Sequence, residues 1–305
     1  MRGVVVTTLL SLIGGWFFFA PSIYAASTDV QQKLIQTQNE MDKLFELQDQ
    51  NALSSSAKQA LEIDIKTKII LDVVDLARTQ IQETREAVEK IIPSDKNEWT
   101  RVVEAIKTML HDDDSYYESV ENVLTDSHTV TLEDLKNIAK TMEQKKKSDI
   151  NPDIKHIKTV VTSLNADSIL SIADNRLQKV NSDVSKIYTN KLTKNTSLKE
   201  SFAKAEKLIA QAHEKNTKAQ KIITNLYADQ NSTSTQLFMK DISREILSSL
   251  ALPTTTSSTT TASSTVSTIQ VRSYIETLTL ATLDDIHQAY AIFLDMSANI
   301  KTYLQ

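Results

Sequence analysis

The chain has almost no glycine. Its three glycines, Gly3, Gly14 and Gly15, lie near the amino terminus, and no glycine follows them. Glycine supplies the positive φ of tight turns and the backbone of phosphate-binding loops. A glycine-rich nucleotide loop, a dinucleotide-binding fingerprint and a nucleophile elbow are therefore excluded, because each needs glycine at fixed positions. This composition favours long helices joined by loops that Asn, Asp, Ser and Pro can form.

Cysteine is absent from the whole chain. Small exported domains usually need disulfides, so an exported chain without cysteine has to be stabilised by large helix–helix interfaces. The absence also excludes a thiol nucleophile, and no serine lies in a recognisable strained turn. We therefore predict no catalytic residue, no cofactor and no enzymatic activity.

The charge balance is mildly acidic, with a formal net charge of −5. Binding to nucleic-acid phosphates needs a concentrated basic face, so we predict no nucleic-acid partner. The only dense basic run, Lys145 to Lys147, is typical of a solvated helix end, where cations lie near the negative end of the helix dipole.

The amino terminus has the pattern of a secretory signal peptide. Arg2 precedes an apolar stretch from Val4 to Ala20, and small residues follow at Ala25 and Ala26. We predict a signal peptide over 1–25, with cleavage after Ala26 as the second choice. The alternative is an uncleaved membrane anchor, although the stretch is short for a span of about 20 residues. Export without cysteine favours a bacterial periplasm, cell surface or external medium.

Apolar residues recur at spacings of three and four over residues 26–252, which we assign to a helical bundle. We predict helices from Thr28 to about Gln50, from Ser54 to Ile91, from Ser94 through His111 to Leu124, from Thr131 to Met142, from Asn151 to Ile187, from Leu198 to Leu226 and from Thr233 to Leu250. Asn151 is the predicted cap before Pro152, and a phase change across Asn165 to Asp167 predicts a kink or stutter.

Two helices carry unbroken heptad patterns. Their members are Ala60, Ile63, Thr67, Ile70, Val74, Ala77, Ile81, Thr84, Val88 and Ile91 in one, and Leu198, Phe202, Ala205, Ile209, Ala212, Asn216, Ala219, Ile223 and Leu226 in the other. The fold class that follows is all-α, an elongated helical bundle with long coiled-coil-like helices. Asn216 is polar within its pattern. Either it fixes helix register or oligomer state, in which case Asn216→Leu raises stability and loosens that specificity, or the helix turns it toward solvent.

Residues 253–268 consist almost entirely of Ser and Thr, and we predict a flexible linker, or alternatively an O-glycosylated stalk. Residues 269–305 follow as a C-terminal amphipathic helix. Its apolar stripe, which includes Phe293 and Met296, is costly to leave in water. We therefore expect the helix to be docked, either on its own bundle or on a second copy of the chain.

Two sets of residues have a spacing that metal ligands also show, and we treat both as weak candidates for a metal site. His111, Asp114, Glu118 and Glu121 share one helical stripe, and Asp284 with His287 repeats a carboxylate–imidazole spacing that Asp153 and His156 also show. The interpretation that we prefer is a solvated acidic face for the first set and a half-buried histidine for the second. We therefore predict no bound metal.

These observations favour a non-enzymatic binding or scaffolding protein that acts outside the cytoplasm. Its partner would be another protein or a second copy of itself, contacted through helix faces. The alternative is a membrane-perturbing protein resembling a pore-forming toxin, although the mature chain has no long apolar segment for the bilayer. A metal-binding helical bundle comes third.

Overall fold

The structure, a computed structural model, describes residues 28–49, 54–91, 97–126, 130–192, 196–228, 232–250 and 267–304. Almost all of these residues are helical and none of them lies in a strand, so the protein is an all-α helical bundle, as predicted. The predicted leader and most of the predicted linker fall outside the described residues.

The helices follow one another with the bounds α1 (Thr28–Asp49), α2 (Ser55–Ile91), α3 (Asn97–Asp126), α4 (Leu132–Lys145), α5 (Asn151–Thr189), α6 (Ser197–Leu226), α7 (Thr233–Leu250) and α8 (Thr268–Leu304). A π-helical turn, Lys146–Ile150, joins α4 to α5. Most predicted bounds are confirmed to within a few residues. Ser94, the predicted cap of the third helix, lies outside the described residues.

The start of α4 shows how local sequence sets a helix end. Thr131 accepts a hydrogen bond from the Asp134 backbone N–H through its hydroxyl, at 3.2 Å, and Asp134 accepts one in return from the Thr131 backbone, at 3.0 Å. This reciprocal capping box satisfies two backbone donors that have no partner inside the helix. The predicted box is confirmed, with Asp in the place of the usual Glu or Gln.

The first of two compact units contains the described residues of Met1–Glu89 and of Ile106–Lys155. Its core includes Ile70, Val74 and Ala77 of the heptad pattern of α2, all buried. Ile69, Val73 and Leu76 on α2 are buried as well. A stripe this wide packs against more than one neighbouring helix, which is the geometry of a bundle.

The second unit contains the described residues of Lys90–Ala105 and of His156–Gln305. Its main core is formed by three helices: α5 supplies Ala173, Val180, Val184 and Ile187, α6 supplies Leu198, Ala205 and Ile209, and α8 supplies Ala289, Phe293, Met296 and Ile300. Trp99, at the beginning of α3, belongs to this unit and is only 4% exposed.

The C-terminal helix α8 docks on its own chain. Its inward stripe packs on α5 and α6, and Lys215 of α6 donates to Asp285 of α8 at 2.5 Å. Near the start of α8, the Tyr274 hydroxyl donates to Glu245 of α7, also at 2.5 Å. The expectation of a docked helix is confirmed, and the contacts are made within one copy of the chain.

The predicted role of Asn151 as the cap of a new helix is wrong. Asn151 has helical angles, φ −61° and ψ −45°, and its N–H donates to the carbonyl of Lys146, five residues back. The wider turn suits Pro152, which has no N–H to donate and whose ring crowds the carbonyl four residues earlier in an ordinary α-helix. Helix α4 therefore continues into α5, and Asn151 caps neither.

The basic run at the same turn is only partly solvated. Lys145 pairs with Asp149 at 2.6 Å, and Lys147 pairs with Glu143 at 2.5 Å. Lys146 between them is buried, and this burial lowers its pKa to about 7. The prediction of a solvated helix end is therefore confirmed for Lys147 and wrong for Lys146. The sequence does not reveal the burial of Lys146, because two further lysines flank it.

The helix is not interrupted across Asn165 to Asp167, where a kink or stutter is predicted, because α5 is continuous from Asn151 to Thr189. One row of buried residues runs through this region at spacings of three, four or seven: Thr159, Ser163, Ala166, Leu170, Ala173, Val180, Val184 and Ile187. The buried face is wider at the start of the helix, where it also includes His156, Ile157, Val160 and Val161. Two polar residues, Thr159 and Ser163, occupy buried positions of this row, and a search for apolar residues alone does not find them.

The end of α5 uses lysine where glycine is usual. Lys191 has φ 54°, in the left-handed region. Its N–H donates to the carbonyl of Tyr188, and the N–H of Leu192 donates to that of Ile187. This pair of bonds is the Schellman motif, which ends many helices and favours glycine at the left-handed residue. A chain without glycine here accepts the steric penalty of a side chain.

Candidate functional site

The first candidate metal site, formed by His111, Asp114, Glu118 and Glu121 on α3, is instead part of an ion-paired surface. Arg78 of α2 donates through Nε to Asp114 Oδ1 at 2.9 Å and through Nη1 to Glu121 Oε2 at 2.6 Å. His111 and Glu118 are exposed and do not join this pair. Since the guanidinium lies between the two carboxylates, it supplies the positive charge that a metal ion would have brought.

The second predicted pair is exposed. Asp284 accepts a hydrogen bond from Gln288 Nε2 at 2.8 Å, and His287 lies on the outer surface of α8, so the expectation of a half-buried histidine is wrong. The buried carboxylate is the adjacent Asp285, which pairs with Lys215. Within the described ranges, no three His, Asp or Glu side chains cluster so that they could hold a metal ion.

An ionisable group that the sequence analysis missed lies on α3. Asp113 is 2% exposed, and its Oδ2 has no hydrogen-bond partner. Burial, and secondly the negative charge of Asp153, raise the pKa of Asp113 to about 7. Burial likewise raises the pKa of Tyr117, which lies on the same helix. Near neutral pH, the Asp113 carboxyl is therefore present in both its protonated and its ionised form.

The signal for Asp113 is present in the sequence. Buried residues of α3 recur at spacings of three and four, as Leu110, Asp113, Tyr117, Val120 and Leu124. Asp113 therefore occupies an inward position, even though it stands in a run of three aspartates that resembles a solvated face. Helical periodicity predicts the burial of Asp113 correctly, whereas the run of charged residues around it would predict exposure.

A second buried group lies where the start of α5 meets the residues after α6. His156 Nε2 and the Tyr227 hydroxyl share a hydrogen bond of 2.6 Å, and His156 Nδ1 is buried without one. Burial, and secondly the positive charge of Arg272, lower the pKa of His156 to about 3. A neutral ring that resists protonation is a weak general base near neutrality, so this contact is better suited to holding helix ends together.

Asn216 is buried, 1% exposed, and both its oxygen and its nitrogen have hydrogen-bond partners. It accepts a hydrogen bond from the Ser163 hydroxyl at 3.0 Å and donates to Asp167 Oδ1 at 2.7 Å. Gln220 donates to Asp167 Oδ2 at 2.9 Å and to the Ser163 carbonyl at 3.1 Å. This polar network joins α5 to α6, so the interpretation that the helix turns Asn216 toward solvent is wrong.

No protein family, curated protein or solved structure matches this chain. None of the described helices contains a segment long and apolar enough to cross a membrane. A depression of about 190 Å³ lies beside Arg176 and Ser297, between α5 and α8. It is smaller than the ~300–1,000 Å³ typical of small-molecule pockets.

The outer surface of α8 is the strongest candidate for binding. We use the term outer row for Leu280, Leu283, His287, Tyr290 and Leu294, which share one face of the helix. Leu280 is 58% exposed and Leu294 is 69% exposed, whereas Leu283 and Tyr290 are half-buried at the edge of the core. Large apolar side chains in one exposed row indicate a surface for a partner.

Helix α5 extends this apolar surface. Arg176 of α5 donates a hydrogen bond to the Ser297 hydroxyl of α8 at 2.9 Å. These two residues therefore lie on the sides of α5 and α8 that face each other. Ile172 lies one turn before Arg176 on that side of α5 and is 60% exposed, and Ile169 lies next to it. Tyr290 and Leu294 lie at corresponding positions before Ser297 on α8.

Proposed function

We propose that this protein is exported and acts outside the cytoplasm as a non-enzymatic binding or scaffolding protein, which contacts another protein or a second copy of itself through helix faces. The observation that carries the proposal is the outer row of α8. Its inner stripe already binds α5 and α6, while its outer row presents Leu280 and Leu294 to solvent. A helix with both faces apolar is suited to joining its own core to a partner.

The charged groups of the described residues support the same proposal. Arg78 pairs with carboxylates, Lys215 pairs with Asp285, and Lys218 pairs with Glu245. These contacts fix helices against one another inside each unit, which makes the helix faces rigid. A rigid face loses little conformational entropy on binding and is suited to recognition by shape.

The test is capture from the native cell envelope with the purified protein as bait. The matched baits are the parent, the Leu280→Asp, Leu294→Asp double variant, and a Thr277→Asp control on the polar flank of α8. We expect partners that the parent and the control retain and the double variant loses. Equal capture by all three baits would contradict binding through this face.

The alternative, a membrane-perturbing protein, rests on the same exposed leucines, because they could also enter a lipid surface. Leakage of dye from anionic lipid vesicles separates the two functions. We expect no leakage from the parent protein. Leakage that depends on Leu280 and Leu294 would favour the membrane function over protein binding.

A further inference from the structure

A cluster of charged side chains lies between α3 and the π-helical turn that joins α4 to α5. We use the term acidic junction for its members, Asp113 of α3, Lys145 of α4, Asp149 of the turn and Asp153 of α5. The last three follow one another at intervals of four residues, so they lie along one side of their helix. The Lys145 ammonium lies 6.0 Å from the centre of the Tyr116 ring of α3, which places this side against α3. All four members belong to the first unit.

Asp113 is the buried member of the acidic junction. It is 2% exposed and its Oδ2 accepts no hydrogen bond, whereas the other three side chains are half-buried. Lys145, the cation of the junction, already pairs with Asp149 at 2.6 Å. The negative charges of Asp153 and Asp149 oppose the ionisation of Asp113, and the adjacent Asp112 adds a smaller effect of the same sign. An ionised Asp113 therefore places a buried carboxylate among like charges, which is costly unless water reaches it.

Three other titratable groups lie at this part of α3, and none of them offsets the charge of an ionised Asp113. Arg78 of α2 already pairs with two other carboxylates of α3. Burial raises the pKa of Tyr116 and of Tyr117, so both phenols are uncharged near neutral pH. The closed junction is therefore most stable when Asp113 keeps its proton.

The π turn beside the junction is the part of this helix that opens at the lowest cost. The turn, Lys146–Ile150, has hydrogen bonds that span five residues instead of four, and Pro152, which follows it, has no N–H to donate. Fewer backbone hydrogen bonds lower the free energy needed for local opening. Opening of the turn admits water to Asp113 while the rest of the unit stays folded.

We propose that the acidic junction makes the first unit sensitive to pH: a proton on Asp113 keeps the π turn closed against α3, and loss of this proton opens the turn locally. The inference goes beyond the proposed function and does not depend on it. The Asp113 carboxyl titrates with a pKa of about 7 in the closed turn, against 3.8 when it is hydrated. Between these values a rise in pH favours the open turn by up to about tenfold per pH unit, and this effect of Asp113 levels off above pH 7.

A second buried group in the turn has the opposite effect in a different pH range. Burial lowers the pKa of Lys146 to about 7, and the nearby charges that act on it are those of Glu143 and Lys147. A lysine that is neutral in the closed turn and charged in the open turn favours closing as the pH rises above 7. The two groups therefore predict an opening that is greatest near pH 7.

The first experiment measures amide hydrogen exchange of the full protein by mass spectrometry between pH 5 and pH 8. Each rate is divided by the intrinsic rate at that pH to give an opening constant. For residues 143–155 we expect this constant to rise by about tenfold or more between pH 5 and pH 7. The buried amides around Val73 and Val74 in α2 are the internal control. They exchange when the whole unit unfolds, so their opening constant should be about a hundredfold smaller or less at every pH.

Three variants assign the rise to its side chain. Asp113→Asn should keep the opening constant within about threefold between pH 5 and pH 7, because the amide does not ionise. Lys146→Met should keep the rise and remove the fall above pH 7. Asp126→Asn is the matched control, because it removes an exposed carboxylate of α3 about 20 Å from Asp113 and should leave the profile of the parent.

The second experiment follows the ionisation of Asp113 by carbon NMR of protein labelled at the aspartate carboxyl carbons. Asp153→Asn removes a like charge and should lower the pKa of Asp113, whereas Lys145→Met removes the opposite charge and should raise it. Asp126→Asn should leave this pKa unchanged. Shifts in opposite directions would not follow from a general loss of packing.

Three results would overturn the proposal. Equal opening constants in the turn and in α2 at every pH would mean that Asp113 affects only the unfolding of the whole unit. A rise in Asp113→Asn as steep as in the parent would assign the opening to another group. A pKa of Asp113 that Asp153→Asn and Lys145→Met both leave unchanged would show that the charges of the junction do not act on it.

Discussion

Two buried polar side chains, one in each unit, differ in their partners. In the second unit, Asn216 is surrounded by donors and acceptors that satisfy its amide. In the first unit, Asp113 is equally buried, but one of its oxygens has no hydrogen bond. The paired amide stabilises a helix contact, whereas the carboxyl stays protonated to a higher pH and opposes folding when it ionises. Burial alone does not determine what a polar group contributes, because its partners do.

The largest effect should be the same in both units, because their apolar cores are alike. Ile70 and Ile209 are both fully buried. Replacing either with Asp removes apolar burial and places an unpaired carboxyl in the core, so we expect a loss of about 4 kcal/mol or more in unfolding free energy. Urea unfolding followed by circular dichroism measures this loss. Ile35→Asp, at an exposed position of α1, is the control, and an equal loss there would mean that the buried face is misassigned.

Asp113→Asn should stabilise the first unit at neutral and higher pH. The unfolded carboxyl titrates at 3.8 and the folded one at about 7, so the folded state binds the proton more tightly between these values. Raising the pH through this window therefore lowers the stability of the parent, by up to about 4 kcal/mol, and the variant escapes this loss. We expect a gain of about 3 kcal/mol at pH 8 and none at pH 4.

Unfolding curves at several pH values measure this slope. Asp112→Asn changes the neighbouring exposed carboxyl, whose charge is the smallest of the causes that raise the pKa of Asp113, so the slope should stay close to that of the parent. A variant at Asp113 whose stability depends on pH as steeply as that of the parent would show that this carboxyl is ionised in the folded protein at all these pH values.

Asn216→Leu should lower stability, which reverses the expectation drawn from the heptad pattern. The substitution leaves the buried Ser163 hydroxyl without its acceptor, at a cost of about 2 kcal/mol. Adding Ser163→Ala to the same variant removes both members of the pair and should recover part of the loss. Thermal unfolding of the three variants measures the coupling. If the Asn216→Leu variant is instead more stable than the parent, Asn216 serves only to fix helix register.

Lys191→Gly should give the smallest change, a gain of about 1 kcal/mol. Glycine adopts the left-handed conformation of this residue without steric penalty, and the two Schellman bonds do not need the side chain. Lys186→Gly, in the interior of the last turns of the same helix, should instead destabilise by a similar amount. A shift of the thermal midpoint in opposite directions for the two variants checks both expectations.

Most of the fold could be predicted from the sequence, because helical periodicity reports which side chains face inward. The patterns around Ile70 and Ile209 lie on buried faces, and the capping box at Thr131 forms as expected. The wrong prediction of a cap at Asn151 has a physical cause. The π turn before Pro152 depends on backbone hydrogen bonds that side-chain patterns do not encode.

The candidate sites were harder to predict, because they depend on contacts between helices. The spacing of Asp114 and Glu121 along α3 is right for a shared ligand, but nothing along that helix reveals that Arg78 comes from α2. Ser163 and Asn216 each resemble an interruption of an apolar pattern when taken singly, and only their meeting explains both. The covered stripe of α8, with Phe293 and Met296, is the one that the apolar pattern predicts, whereas the exposure of Leu280 and Leu294 beside it is known only from the packing.

The placement of Trp99 has a spectroscopic consequence. The chain has two tryptophans, and the other, Trp16, lies in the predicted leader. If the leader is removed, intrinsic indole fluorescence comes from one buried ring in the second unit. Fluorescence then follows the exposure of that unit to water, whereas far-ultraviolet circular dichroism follows the helices of both. Recording the two signals in one urea titration would show whether the units melt together or in succession, without any added label.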